Sequence, residues 1–255
     1  MTGLRRGHDE AASSHPPRPA FYAARGGGWH DWWTLLHPPY TAWHLSYVVV
    51  GAALAPRPDA VRLGGTLLAF FLAVGVAAHA LDELHGRPLR TAIPSPVLVV
   101  TSAAGLAGAV AVGVVGVIQV GPTLVPFIVV GPILVMAYNA ELFGGLVHTD
   151  IGFALAWGAF PVLTAYVAQA RAVSAAAALA AFFAFSLSLA QRALSTPARR
   201  LRRSVRTVTG TMEMADGGQS PIDAHTILAP LERGLRTLSW AVVALAAALA
   251  VARLG

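Results

Sequence analysis

His79-Ala-Leu-Asp82-Glu83-Leu-His85-Gly-Arg87-Pro-Leu-Arg90-Thr-Ala-Ile-Pro94 joins two long apolar runs. Five ionisable groups, His79, Asp82, Glu83, His85 and Arg87, thus sit at the rim of something oily. Such residues are expensive at membrane depth and mark a site more often than decoration. The chain around them is 56% hydrophobic and only 12% charged, against about 25% charged for a soluble domain. Several of its runs approach the ~20 apolar residues that cross a bilayer. The composition predicts an all-α, polytopic integral membrane bundle.

Outward from this stretch, the apolar runs place seven spans, at 35–55, 63–81, 96–118, 124–138, 151–170, 173–194 and 238–251. Residues 1–28 lack a signal peptide's apolar core and read as a disordered cytoplasmic tail. Residues 29–194 form the membrane bundle, entered through an amphipathic stretch at 29–33 whose tryptophans suit the interface. Residues 195–236 read as a cytoplasmic amphipathic cap and 237–255 as the last membrane helix. Within the cap, 199–206 predicts a basic surface helix beside anionic headgroups, and Ser220-Pro221 a helix start.

There is no cysteine, which excludes disulfides and thiolate ligands. All 18 basic residues are arginine. With the N-terminus cytoplasmic and the sides alternating, 14 of them fall on one face. That is the positive-inside pattern of a multi-pass protein of the cell inner membrane, and it accounts for the basic excess without nucleic acid. The connections after spans two, four and six then open to that face. They carry His79, Asp82, Glu83, His85 and Arg87; Asn139, Glu141, His148 and Asp150; and Gln191 and Arg192. Convergence of the three predicts a cytoplasm-facing pocket.

Leu36-His37-Pro38-Pro39-Tyr40-Thr41, the Asp82…Gly86-Arg87-Pro88-Leu89…Thr91 segment, and Tyr138 through Gly152 with Gly158-Ala159-Phe160-Pro161 occur in an order that resembles the UbiA superfamily of intramembrane prenyltransferases. The resemblance covers roughly residues 35–195. It implies a UbiA-like bundle, a prenyl diphosphate or related lipid as substrate, and magnesium at aspartate-rich motifs. Two departures stand out. The first motif reads His79-Ala-Leu-Asp82-Glu83, and the position of the second, Gln191-Arg192-Ala-Leu-Ser-Thr-Pro-Ala-Arg-Arg, holds no carboxylate.

A prenyl diphosphate needs its leaving group neutralised as the allylic C–O bond breaks, by magnesium on carboxylates and by arginine. Asp82 and Glu83 are candidates to hold one Mg2+, with Arg87 and Arg192 gripping phosphate oxygens. Tyr138, Asn139 and Asp150 would orient substrate, and Glu141 and His148 would take the acceptor's proton, an unperturbed imidazole titrating near neutrality. Asp150 is equally placed to cap the fifth span. A rival reading uses the same residues. His79 and Glu83 at i, i+4 and Asp82 and His85 at i, i+3 share helix faces, the pattern by which bundles ligate paired iron. His44, Glu141 and His148 would complete an iron-dependent membrane oxidoreductase or lipid-modifying enzyme. A third reading is a non-catalytic lipid-binding membrane protein.

Overall fold

In a computed structural model, residues 18–24 and 26–254 are described; of the tail expected over 1–28, residues 1–17 and 25 lie outside them. Short α1, Trp29–Leu35, precedes α2, Pro38–Ala53. Six long helices follow: α3 Ala60–Leu84, α4 Ser95–Val120, α5 Pro122–Asn139, α6 Asp150–Ala170, α7 Ala175–Arg203 and α8 Ala224–Leu254. A two-stranded antiparallel hairpin, β1 Gly210–Glu213 and β2 Gln219–Ile222, links the last two.

The six long helices are each long and apolar enough to cross a membrane. Val100, Ile118, Val129, Leu179, Phe182 and Trp240 point outward and exposed, which a bilayer tolerates and water does not. The chain is a multi-pass helical membrane protein. Six such helices stand where seven spans were expected. The difference lies in α2, whose 16 residues reach about 24 Å at 1.5 Å each, short of the ~30 Å hydrocarbon core. Pro38 and Pro39 occupy its first turn, where a missing N–H costs nothing, so the helix starts later than hydropathy suggests. Its residues Trp43, Tyr47, Val48 and Ala52 are fully buried. It packs against α3, α6, α7 and α8 as a central post.

The ends of α7 and α8 also differ from expectation. α7 runs on to Arg203 and α8 begins at Ala224, so much of the expected cap is continuous helix. Residues 219–222 are strand rather than the helix start expected at Ser220. Asp223 caps α8 instead, accepting from the Thr226 N–H and Oγ1, each at 2.7 Å. Those bonds favour the ionised carboxylate and hold Asp223 below the usual carboxylate range. Residues 18–24, placed in the tail by sequence, lie against the bundle with Ala20 and Ala23 buried.

Candidate functional site

The polar end of the bundle encloses a chamber of about 280 Å³. Its walls include His44 from α2, His79 and Asp82 from α3, Tyr138 and Asn139 from α5, and Arg192, Arg199 and Arg203 from α7. His85, Glu141 and His148 come from the intervening turns. The three connections that sequence spacing placed on one face do meet. Arg199 and Arg203 were read as surface residues. Their spacing from Arg192, seven and eleven residues on, keeps all three on one side of a continuous helix, and that signal was available once α7 was taken past residue 194.

Two wide π-helical stretches help to shape the chamber, at Phe71–Ala78 in α3 and Ala154–Ala159 in α6. Such stretches are frequent at functional sites. A carbonyl within each engages a chamber histidine: His79 Nδ1 lies 3.1 Å from Gly75 O, and His44 Nδ1 lies 2.9 Å from Trp157 O. His148 Nδ1 lies 2.9 Å from Tyr138 O, with its ring stacked on Tyr138. A carbonyl only accepts, so each Nδ1 carries the hydrogen, and in the neutral ring Nε2 is the atom with the lone pair.

The carboxylates divide sharply. Glu83 is fully buried. Its Oε2 accepts from Leu89 N at 2.9 Å, and its Oε1 from Thr91 N at 2.8 Å and Thr91 Oγ1 at 2.9 Å. It staples the loop after α3 and is absent from the chamber wall. Asp82, one residue earlier, is on that wall. The arginine–carboxylate pairs among the described residues are Arg192–Asp150, Arg202–Glu232 and Arg236–Glu232, so Asp82 has no cationic partner there. Asp150 pairs with Arg192 at 2.6 Å and does not cap α6; Thr149 does, accepting from Gly152 N at 3.0 Å. Glu141 stands at the mouth, 3.8 Å from His85 Nε2 and 4.0 Å from His148 Nδ1.

Arg87 is drawn away from the chamber, its guanidinium donating to Ile93 O and Ser95 Oγ. With Glu83 committed to backbone, His79 stacked on His37 at 4.1 Å and His85 half-exposed beside Glu141, the four expected metal ligands do not form a cage. Among the described residues no three His, Asp or Glu side chains are grouped so as to hold one ion. Of the four, Asp82 is the carboxylate left free on the chamber wall.

Three guanidiniums, of Arg192, Arg199 and Arg203, line the chamber together with the carboxyls of Asp82 and Glu141. Arg192 is offset by Asp150, whereas among the described residues Arg199 donates to Thr196 Oγ1 and Arg203 to the Pro19 carbonyl, neither to a carboxylate. Beside it, facing the opposite end of the bundle, lies an apolar groove of about 350 Å³ between α3, α4, α5 and α6. Val74 and Trp157 belong to the walls of both. No family model, curated protein or solved structure matches the chain.

Proposed function

We propose that this chain is a UbiA-like membrane enzyme that binds a prenyl diphosphate, or a closely related anionic prenyl lipid, and transfers the prenyl group. The observation that carries the reading is the junction at Val74 and Trp157 between an arginine-lined chamber and an apolar groove. An isoprenoid tail buries apolar surface in the groove, at about 25 cal/mol per Å². Its phosphates supply the anions that Arg199 and Arg203 lack, through bidentate guanidinium contacts. As the allylic C–O bond breaks, the electron pair goes to the diphosphate, where the three guanidiniums stabilise the growing charge. The allylic cation left behind faces Trp157, Tyr138 and Phe153, rings suited to cation–π contact. The acceptor's proton passes to Asp82 or to His148 Nε2. The arginine distribution supports a polar end that faces the cytoplasm of a cell inner membrane, and the N-terminal segment lies at that end, Arg203 Nε donating to the Pro19 carbonyl.

The test uses the full chain in nanodiscs with geranylgeranyl diphosphate. Pyrophosphate release is expected from the wild type and is abolished in Asp82→Asn. Arg199→Gln weakens inorganic pyrophosphate binding by tenfold or more, a loss of about 1.4 kcal/mol. Wild-type binding without release would leave a lipid-binding protein, and an unaltered rate in Asp82→Asn would remove the chamber from the chemistry.

A further inference from the structure

The N-terminal segment 18–24 forms one wall of a second lobe of the chamber, about 110 Å³ in volume. Pro19, Ala20, Phe21 and Tyr22 line it, and Asp82, Arg192, Arg199 and Arg203 are common to both lobes. The segment belongs to no helix or strand. It closes this side of the polar site without being part of the helical frame.

Its fastening is uneven. Ala20 and Ala23 are buried, Tyr22 meets Tyr40 edge-on at 5.5 Å, and the Arg236 guanidinium sits 5.0 Å from the centre of the Phe21 ring. Ala24 N donates to Thr34 Oγ1 at 3.0 Å. Toward α7, two long bonds hold it: Arg203 Nε to the Pro19 carbonyl at 3.3 Å, and Arg202 to the Arg18 carbonyl at 3.4 Å. Arg202 is already engaged by both oxygens of Glu232. Arg203 lines the chamber and donates to no carboxylate among the described residues, so its bond is the one that a chamber occupant competes for. A bidentate pair with a phosphate anion is short and strong, and displaces a single long bond to a carbonyl.

Gly26-Gly27-Gly28 follows and is exposed throughout. Gly27 and Gly28 have φ 113° and 58°, with no described atom within 4 Å of the missing side chain. Glycine adopts such positive φ without steric cost. A few loop residues able to absorb a φ/ψ change are what a hinge requires.

We infer that residues 18–24 are a lid, hinged at Gly26–Gly28 and latched by Arg203, and that an anion in the chamber opens it by taking Arg203 from the Pro19 carbonyl. Opening removes the Pro19–Tyr22 wall and lays Asp82 and the guanidiniums open to solvent. That the natural anion is the diphosphate of a prenyl lipid rests on the reading above; the latch does not.

Thiol labelling tests the inference, because the chain has no cysteine. Ala23→Cys places a single thiol at a position only 2% exposed, and Ala20→Cys is a second reporter. Gln219→Cys, on the exposed hairpin, is the control. Each full-length variant, in detergent micelles, is followed by its rate of reaction with a water-soluble maleimide. Both lid thiols label far more slowly than the control. Inorganic pyrophosphate speeds them roughly tenfold, the effect of losing about 1.4 kcal/mol of latch, and leaves the control unchanged. Adding Arg203→Ala raises their rates without pyrophosphate, which then adds nothing. Lid thiols that label as fast as the control without pyrophosphate would overturn the proposal. So would pyrophosphate that binds by calorimetry yet leaves their labelling unchanged. Absence of pyrophosphate binding would sink the head-group reading; Arg203→Ala then decides the latch alone, raised labelling supporting it and unchanged labelling overturning it.

Discussion

Replacing Glu83 with Gln separates a staple from a metal ligand. The carboxylate is fully buried and accepts three hydrogen bonds, from Leu89 N, Thr91 N and Thr91 Oγ1. Gln keeps one oxygen for Thr91 but turns an NH2 toward the Leu89 N–H, donor against donor. The lost charge-assisted bond is worth about 1.5–3 kcal/mol, and each donor left buried and unpaired costs about 1–3 kcal/mol more. The loop it holds is itself strained, with Arg87 and Arg90 at φ 52° and 57°, and such conformations persist only where surrounding contacts hold them. A total near 3 kcal/mol lowers Tm by roughly 6–12 °C, at 2–4 °C per kcal/mol for a chain of this size. Hydrogen exchange of residues 85–94 should rise in parallel. Binding of inorganic pyrophosphate should change little under saturating conditions at low temperature. A Glu83→Gln protein with wild-type Tm and wild-type exchange, but an altered magnesium titration, would refute the staple.

Three further outcomes follow from other parts of the molecule. A Cβ at Gly158 would meet the Ala184 carbonyl and Ser188 Oγ, both at 2.6 Å, so Gly158→Ala pushes α6 off α7 and should cost about 1–3 kcal/mol, read as a lower midpoint in detergent melts. Gly65 lines the apolar groove, with nothing within 4 Å of its missing side chain. Gly65→Phe should therefore fold normally and, under the prenyl diphosphate proposal, shift preference toward shorter chains in a competition between geranyl and geranylgeranyl diphosphates. Asp223 titrates below the usual carboxylate range because Thr226 donates twice to it. Its contribution is present above the unfolded carboxylate value near 3.9 and fades as pH falls through the lower folded value. Fraying at the start of α8, followed by exchange at Thr226, should accordingly grow at acid pH in the wild type, while Asp223→Ala frays at all pH values.

Hydropathy located the interiors of the long helices because a bilayer demands apolar length, and 63–81, 96–118 and 124–138 fall inside α3, α4 and α5. It lost the ends of α7 and α8 because those helices continue past the oily zone on amphipathic turns. There Arg199, Arg203 and Glu232 replace leucine while the backbone bonding goes on unchanged. The hydrophobic signal reports where a helix is greasy, not where it stops. The π-helical stretches were invisible for a related reason: FLAVGVAA and ALAWGA read like any apolar helix. Their departure from 3.6-residue periodicity is a product of packing.

Asp82 and Glu83 mark the limit of what residue type alone can say. Adjacent residues on a helix point about 100° apart, so one of two neighbouring acids could face the chamber and the other the loop, but composition does not choose between them. Thr91 and the turn at Arg87 decide it, since only a carboxylate at position 83 meets the two N–H groups that the turn presents. Once Glu83 is committed there, the remaining acid on this helix end is Asp82, on the same chamber wall as three guanidiniums of α7. Under the prenyl diphosphate proposal, the guanidiniums take the anion and Asp82 is left to handle a proton. Residue type places two acids at this helix end, and the N–H groups of the turn decide that one serves the loop while its neighbour faces the chamber.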